Sequence, residues 1–264
     1  MKIYKYRPIS SILVEELEQS YLSLASPFVL NDIYDCQVPV DVTSTVTSFL
    51  DSISTVVDEA FSGDEEFGDL VKKKIIPDVD KQKMIYFNKV VYDLVNRQRV
   101  TCFTDSFENL PMWAHYASNH GGVCLEFTVE KDTDTAWQYL AEVNYVEEIP
   151  TLIPPRSFED LSESERFMNS LFLTKHEKWK YESEQRLIID KQFLQETTNP
   201  MYSKMYYKRE YLTGVFFGYR VSETSEDFKR IINALISRAN PPALRFRRKV
   251  ENAFGSYWED FSYQ

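Results

Sequence analysis

The sequence predicts an α+β protein built on a mixed or split β-sheet flanked by helices. Three observations carry that expectation. Short strand-like runs, among them Ile3–Arg7 and Arg99–Thr104, are interspersed with longer stretches whose apolar residues recur at helical spacing. A hydrophobic content of 43% over 264 residues, with 18 Phe and 17 Tyr, is enough to bury a core larger than a minimal domain needs. Only seven glycines occur, and none forms G-x-G-x-x-G or G-x-x-x-x-G-K-[ST], so the backbone cradles of doubly wound dinucleotide and triphosphate sites are missing. No G-x-S-x-G elbow supplies a hydrolase serine. The expected organisation is a single domain over residues 1–264, with a helical insertion at about 41–97.

Taken in order, residues 3–7 alternate as a strand, and Pro8 with Ser10-Ser11 stops it and caps a helix from Ile12 to Gln19. Tyr21–Leu24 read as extended, and Ser26-Pro27 and Asn31-Asp32 as turns. Val42, Val46, Phe49, Leu50, Ile53 and Val57 mark an amphipathic helix that stops near Ser62-Gly63, with Asp64-Glu65-Glu66 in an exposed loop. Met84, Phe87, Val90, Val91 and Leu94 mark a second helix ending near Asn96. Arg99–Thr104 is β-rich, Pro111–Ser118 suits a short helix with proline in its first turn, and Asn119–Gly122 breaks it before the strand Val123–Phe127. Trp137–Val146 is an extended or mixed segment, and Ile149–Pro155 a proline-bearing connection. A capped helix is expected at about Ser162–Trp179, followed by a strand over 182–189, another over Tyr211–Phe217, a helix through Phe228–Ile236 and a last strand within Ala243–Val250.

Charge and cysteine usage narrow the setting. Lys+Arg of 30 against Asp+Glu of 41 gives a net charge of -11, which disfavours general attraction to nucleic-acid phosphates or anionic membranes. The basic run Arg245-Phe246-Arg247-Arg248-Lys249 reads as a solvated edge strand. Cys36, Cys102 and Cys124 are odd in number and widely spaced, which fits a reducing cytoplasm and no disulfide framework. Neither a signal peptide nor an apolar run of the about 20 residues needed to span a bilayer is seen.

The stretch with most chemistry is Lys175–Asp190. If residues 182–189 are extended, Glu182, Glu184, Arg186 and Ile188 share one face, so two carboxylates and a guanidinium stand in a row. Close carboxylates push their pKa values apart, giving an acid and a base from one residue type. The competing reading is a salt-bridged, exposed edge. His115 and His120 are five residues apart and so do not share a helical face as a metal pair would; His115 beside Trp113 and Tyr116 reads first as a packed histidine. Glu126 on the following strand is placed to orient a histidine or a substrate hydroxyl.

Several blocks together resemble a known family. They are Tyr4-Lys5-Tyr6-Arg7, Asn31-Asp32, Cys102-Phe103-Thr104, Met112-Trp113-Ala114-His115-Tyr116-Ala117 with Gly121-Gly122-Val123, and Lys175 with Trp179-x-Tyr181-Glu182-x-Glu184-x-Arg186-Leu187-Ile188, with Gly218 as a later glycine. In this order they resemble DUF2971, a family of mostly bacterial proteins whose name records an unknown function. Its layout is similar to that of ADP-ribosyltransferases, which implies an ADP-ribosyltransferase-like sheet, NAD as cofactor, no metal, and a protein or nucleic-acid acceptor, in a bacterial toxin or phage-defence role. The resemblance implies Glu184 as the catalytic glutamate with Glu182 as its E-x-E companion, and Arg7, Tyr4, Trp113, His115, Tyr116 and Arg186 around the cofactor. Thr101, Thr104 and Tyr116 are the candidates for the middle motif. Two other functions stay open: a non-enzymatic module binding a peptide or nucleotide, and a metal-dependent nuclease using Glu126, Glu182 and Glu184.

Overall fold

The computed structural model describes residues 1–32, 35–36, 38–130, 136–155, 157–236, 245–252 and 255–261. Strand β1 (Lys2–Arg7) leads to helix α1 (Ser11–Gln19), whose N-cap Ser10 accepts a hydrogen bond from the Leu13 amide at 3.2 Å. Ser20, at φ 60, ends that helix in the left-handed region and turns the chain into β2 (Tyr21–Ala25). Asp41 caps α2 (Val42–Ala60). The triplet Asp64-Glu65-Glu66 is no exposed loop but the start of α3 (Glu65–Arg97). Asp64 accepts from the Phe67 amide at 3.1 Å, and the two glutamates occupy the first turn, where the helix dipole favours negative charge. This helix runs through Pro77, so the apolar stripe from Met84 onwards marks only its second half.

The chain continues through β3 (Gln98–Thr104), α4 (Leu110–Tyr116, capped by Asn109), β4 (Val123–Thr128), β5 (Leu140–Glu142) and β6 (Asn144–Val146). Helix α5 (Leu161–Leu173) stops short of the expected Trp179, because Thr174 takes extended backbone and opens the short β7 (Thr174–His176). Then come β8 (Glu184–Asp190), β9 (Gln195–Glu196), β10 (Tyr202–Tyr206), β11 (Leu212–Phe217), α6 (Glu226–Ile236), β12 (Arg245–Asn252) and β13 (Gly255–Phe261). The expected last strand falls on β12, with its first residues, Ala243 and Leu244, outside the described residues. Among the described residues no helix is long and apolar enough to cross a membrane.

The chain divides into two compact units. The first comprises residues 1–26, 99–145 and 177–264 and holds an eleven-stranded sheet in the order β13-β12-β11-β4-β1-β3-β2-β10-β9, with β8 paired to β3 and β5. The sheet is mixed, since β12 runs parallel to β11 and antiparallel to β13. One apolar cluster gathers Ile3, Leu125, Phe127, Leu187 and Val215 with Leu13 and Leu17 of α1 and Ile231 and Leu235 of α6. A second takes the alternate residues Tyr4, Tyr6, Cys124 and Phe216 with Trp113 and Ala117 of the α4 segment. The basic run is not a solvated edge: β12 lies between β11 and β13, and Arg247 pairs with Asp260 while Arg248 pairs with Glu223 and Glu259.

The second unit, residues 27–98 and 146–176, contains the segment expected as a helical insertion. Its core sets Val42 and Val46 of α2 against Phe87 of α3, with Leu50, Met84 and Phe158 packed around them. Thr45 donates to the Pro154 carbonyl at 2.7 Å, and the buried Lys175 Nζ lies 3.5 Å from Asp35 Oδ2. A surface cavity of ≈ 410 Å³ here is lined by Ile153, Pro155, Arg166 and Phe167, and none of the site residues discussed below lines it.

Candidate functional site

The charged row is organised differently from a single strand. Glu182 ends a 3-10 turn (Glu177–Glu182), and Ser183, at φ 43, breaks the pleat before β8 begins at Glu184. Glu182 therefore does not share a strand face with Glu184 and Arg186; its carboxylate instead accepts from the Tyr116 hydroxyl at 2.6 Å. The expected alternation holds from Glu184 onwards. Because β8 is paired with two strands it is no exposed edge, and Arg186 is 0% and Glu184 5% accessible. Arg186 donates to Glu184 through Nε at 2.7 Å and Nη2 at 3.1 Å, a fork that fixes the plane of the carboxylate. The Glu184 amide donates to the Tyr145 hydroxyl at 2.8 Å, which anchors the start of the strand. Two buried charges lose much hydration, and a bidentate contact is what makes such a pair tolerable.

Strand β1 carries two cations on one face. Arg7 Nη1 lies 2.9 Å from Glu16 Oε1 and 2.7 Å from Oε2, and Glu16, buried on α1, also accepts from the Ser23 amide at 3.0 Å. Lys5, two residues earlier, is partly exposed and donates to Thr101 Oγ1 at 2.7 Å and to the Cys102 carbonyl at 3.0 Å. Its ammonium stands 5.3 Å from the Phe103 ring centre. Burial, and next the charge of Arg7, bring its pKa down from 10.5 to about 8, while Cys102, Glu16 and Glu184 act in the opposite sense. Lys5 thus lies within electrostatic reach of both Arg7 on β1 and Glu184 on β8. In the sequence Lys5 is marked only by its period-two relation to Arg7.

The remaining expected site residues are less uniform. Tyr4 is buried against Phe107 and Phe216, and its hydroxyl donates to Glu126 at 3.2 Å. Glu126, itself buried, also accepts from Lys2 at 3.1 Å and Thr213 at 2.9 Å. Trp113 is 1% accessible; its indole donates to the Phe107 carbonyl at 2.7 Å and its ring meets Tyr6 edge-on at 5.1 Å. Such a ring is part of the core and presents no face to a ligand. His115 is exposed on α4, whereas Tyr116 is half-buried with its hydroxyl on Glu182. The structure therefore puts Lys5 within electrostatic reach of Arg7 and Glu184, forks Arg186 onto the glutamate, and joins Tyr116 to Glu182. It sets Tyr4 and Trp113 into the cluster with Tyr6 and Phe216. Among the described residues no group of three or more His, Cys, Asp or Glu side chains is placed to hold a metal ion.

Behind α4 the chain is held in an unusual shape. Ser118, Asn119 and His120 follow one another at φ 48, 50 and 66, each costing roughly 1–2 kcal/mol for a residue with a Cβ. Two glycines make room for close backbone approaches. A Cβ at Gly122 would stand 2.3 Å from the Arg7 carbonyl oxygen, and one at Gly218 would stand 2.2 Å from that of His120. Gly218 and Arg220 donate to the carbonyls of Gly122 and His120, at 3.0 and 3.1 Å. The Gly121-Gly122 pair and Gly218 therefore clamp the backbone beside the Arg7 end of β1.

Residues 112–187 match the family described as Protein of unknown function (DUF2971). The matched stretch contains Trp113, His115, Tyr116, Glu126, Glu182, Glu184 and Arg186; Tyr4, Lys5, Arg7 and Gly218 lie outside it. Comparison with curated proteins and with solved structures finds no significant match.

Proposed function

We propose that this chain is an ADP-ribosyltransferase-like enzyme that takes NAD as its substrate and uses Glu184 as its working carboxylate. The observation that carries this reading is the electrostatic convergence on Lys5, where cations of β1 and the first carboxylate of β8 act on one another. Lys5 and Arg7 are the groups that suit a pyrophosphate. A carboxylate beside the departing nicotinamide lowers the cost of positive charge growing on the ribose, and Arg186 holds that carboxylate in a fixed orientation. Glu182, carried on the turn and hydrogen-bonded by Tyr116, orients the acceptor. Trp113 takes no part in ring stacking, because its ring is enclosed.

Calorimetric titration with NAD, together with an assay of nicotinamide release, tests the reading. Wild type should bind NAD and release nicotinamide, Glu184→Gln should slow release by about 10²–10³-fold, and Lys5→Gln should weaken binding. A wild type that neither binds NAD nor releases nicotinamide sinks it. A second reading rests on the complete enclosure of Arg186: the Glu184–Arg186 pair as a structural ladder in a recognition module that binds a peptide or nucleotide without turnover. There Glu184→Gln lowers stability by about 3–5 kcal/mol, the cost of breaking a buried pair, and no variant alters a rate.

A further inference from the structure

The surface cavity of the second unit lies between helix α5 and the proline-bearing segment before it. Glu163, Arg166, Phe167 and Ser170 form its helical wall, their spacing of three and four placing them on one face of α5. Residues 152–155 form the other wall. Consecutive side chains of an extended segment point to opposite faces, so a cavity lined by all four residues faces the edge of that segment. The opposite edge is engaged: the Leu152 amide donates to the Pro39 carbonyl at 2.8 Å, and the Leu152 carbonyl accepts from the Asp41 amide at 2.7 Å. Pro154 restricts the residue before it to extended backbone, which turns the Ile153 amide and carbonyl away from that edge and towards the cavity. Among the described residues neither group has a hydrogen-bond partner.

The side chains repeat this pairing of donor and acceptor. Glu163 and Arg166 border the same cavity, yet among the described residues their charged groups form no ion pair, with each other or with any other group. The Arg166 charge also acts on Asp160, but that carboxylate is occupied as the cap of α5, accepting from the Ser162 amide and hydroxyl and from the Glu163 amide. Beside the charges the lining is apolar: Phe167, Pro154 and Pro155 are buried, while Ile153 is 59% accessible. We propose that this cavity binds a free α-amino acid with an apolar side chain. Its carboxylate takes the Arg166 guanidinium and the Ile153 amide, its ammonium takes the Glu163 carboxylate and the Ile153 carbonyl, and its side chain covers Ile153 and Phe167. A volume of ≈ 410 Å³ falls at the lower end of small-molecule sites, about 300–1,000 Å³, which suits one residue rather than a polypeptide. Opposite charges on one small ligand select the free amino acid over a peptide end, which carries only one of them. Every lining residue belongs to the second unit, so the inference is independent of the NAD reading.

Calorimetric titration of the full chain with L-leucine and with L-phenylalanine tests the proposal. At least one should bind with a Kd below about 1 mM. Its N-acetyl derivative, which lacks the ammonium, and its amide, which lacks the carboxylate, should each bind at least about tenfold more weakly. Glu163→Gln should abolish the preference over the N-acetyl form and keep that over the amide, and Arg166→Gln should do the reverse. Both positions are exposed and glutamine is a good helix former, so unchanged circular dichroism melting checks that the fold is intact. A Kd above about 1 mM for both amino acids overturns the proposal. An N-acetyl form as tight as its parent marks a site for peptide carboxyl termini, an amide as tight as its parent marks one for amino termini, and either result overturns it. So does binding that neither substitution changes.

Discussion

Lys5 gives the sharpest quantitative test of the site. Its pKa is brought from 10.5 to about 8, first by burial and next by Arg7, so the folded protein holds this proton less tightly than the unfolded chain. The sign follows from proton counting. Between about pH 8 and 10.5 the unfolded state binds the proton that the folded state has released, and stability therefore rises with pH across that window. Below about pH 8 both states are protonated and the protein carries the full cost of the desolvated ammonium. Integrating from pH 7 to pH 10, wild type should gain about 2.5 kcal/mol relative to Lys5→Met, which lacks the proton altogether. Part of the absolute difference at pH 7 is offset by the hydrogen bonds from the ammonium to Thr101 and Cys102, each about 1.5–3 kcal/mol, but that part does not alter the sign of the pH dependence. The assay is urea unfolding of both proteins at several values between pH 7 and pH 10, comparing the pH dependence rather than the absolute stabilities. A wild-type-to-variant difference that stays constant over this range would refute the account of Lys5 as a desolvated cation, and with it the convergence on which the proposed site rests.

Two further tests probe the frame around the site. Gly122→Ala should destabilise by about 1–3 kcal/mol in urea unfolding, because its Cβ would press on the Arg7 carbonyl, and Gly218→Ala should do the same against His120; unchanged midpoints would show that these approaches are not tight. Thiol titration of the native protein should find one fast group, the half-buried Cys102. Cys36 is buried, and the Cys124 thiol is both buried and pushed well above its ordinary pKa, by burial first and then by the charge of Glu126, so both should react only on unfolding. Three equally fast thiols would contradict that burial pattern.

Much of the fold was legible in local pattern. The cap at Ser10, the alternation of β1 and the proline-led α4 depend on neighbours within a few residues, and backbone hydrogen bonding and side-chain periodicity act at that range. The length of α3 was not legible, because its apolar residues fall on two faces and leave no single stripe to read, and Pro77 counts against a continuous helix. The early end of α5 was hidden for a related reason, since the apolar pattern runs on past Thr174 while the backbone does not.

What the sequence by itself determined about this protein is the α+β class, the strand carrying Glu184 and Arg186 on one face, and the presence of cations two residues apart near the start of the chain. Each follows from periodicity and composition, which are properties of short segments. Only the tertiary structure decided that Glu182 leaves the strand for Tyr116, that Trp113 is enclosed, and that Lys5 lies within electrostatic reach of Arg7 and Glu184. Those outcomes depend on which strands pair and on the left-handed turn at Ser183, and desolvation, which sets the strength of every charge in the site, is a property of the packed chain rather than of its letters.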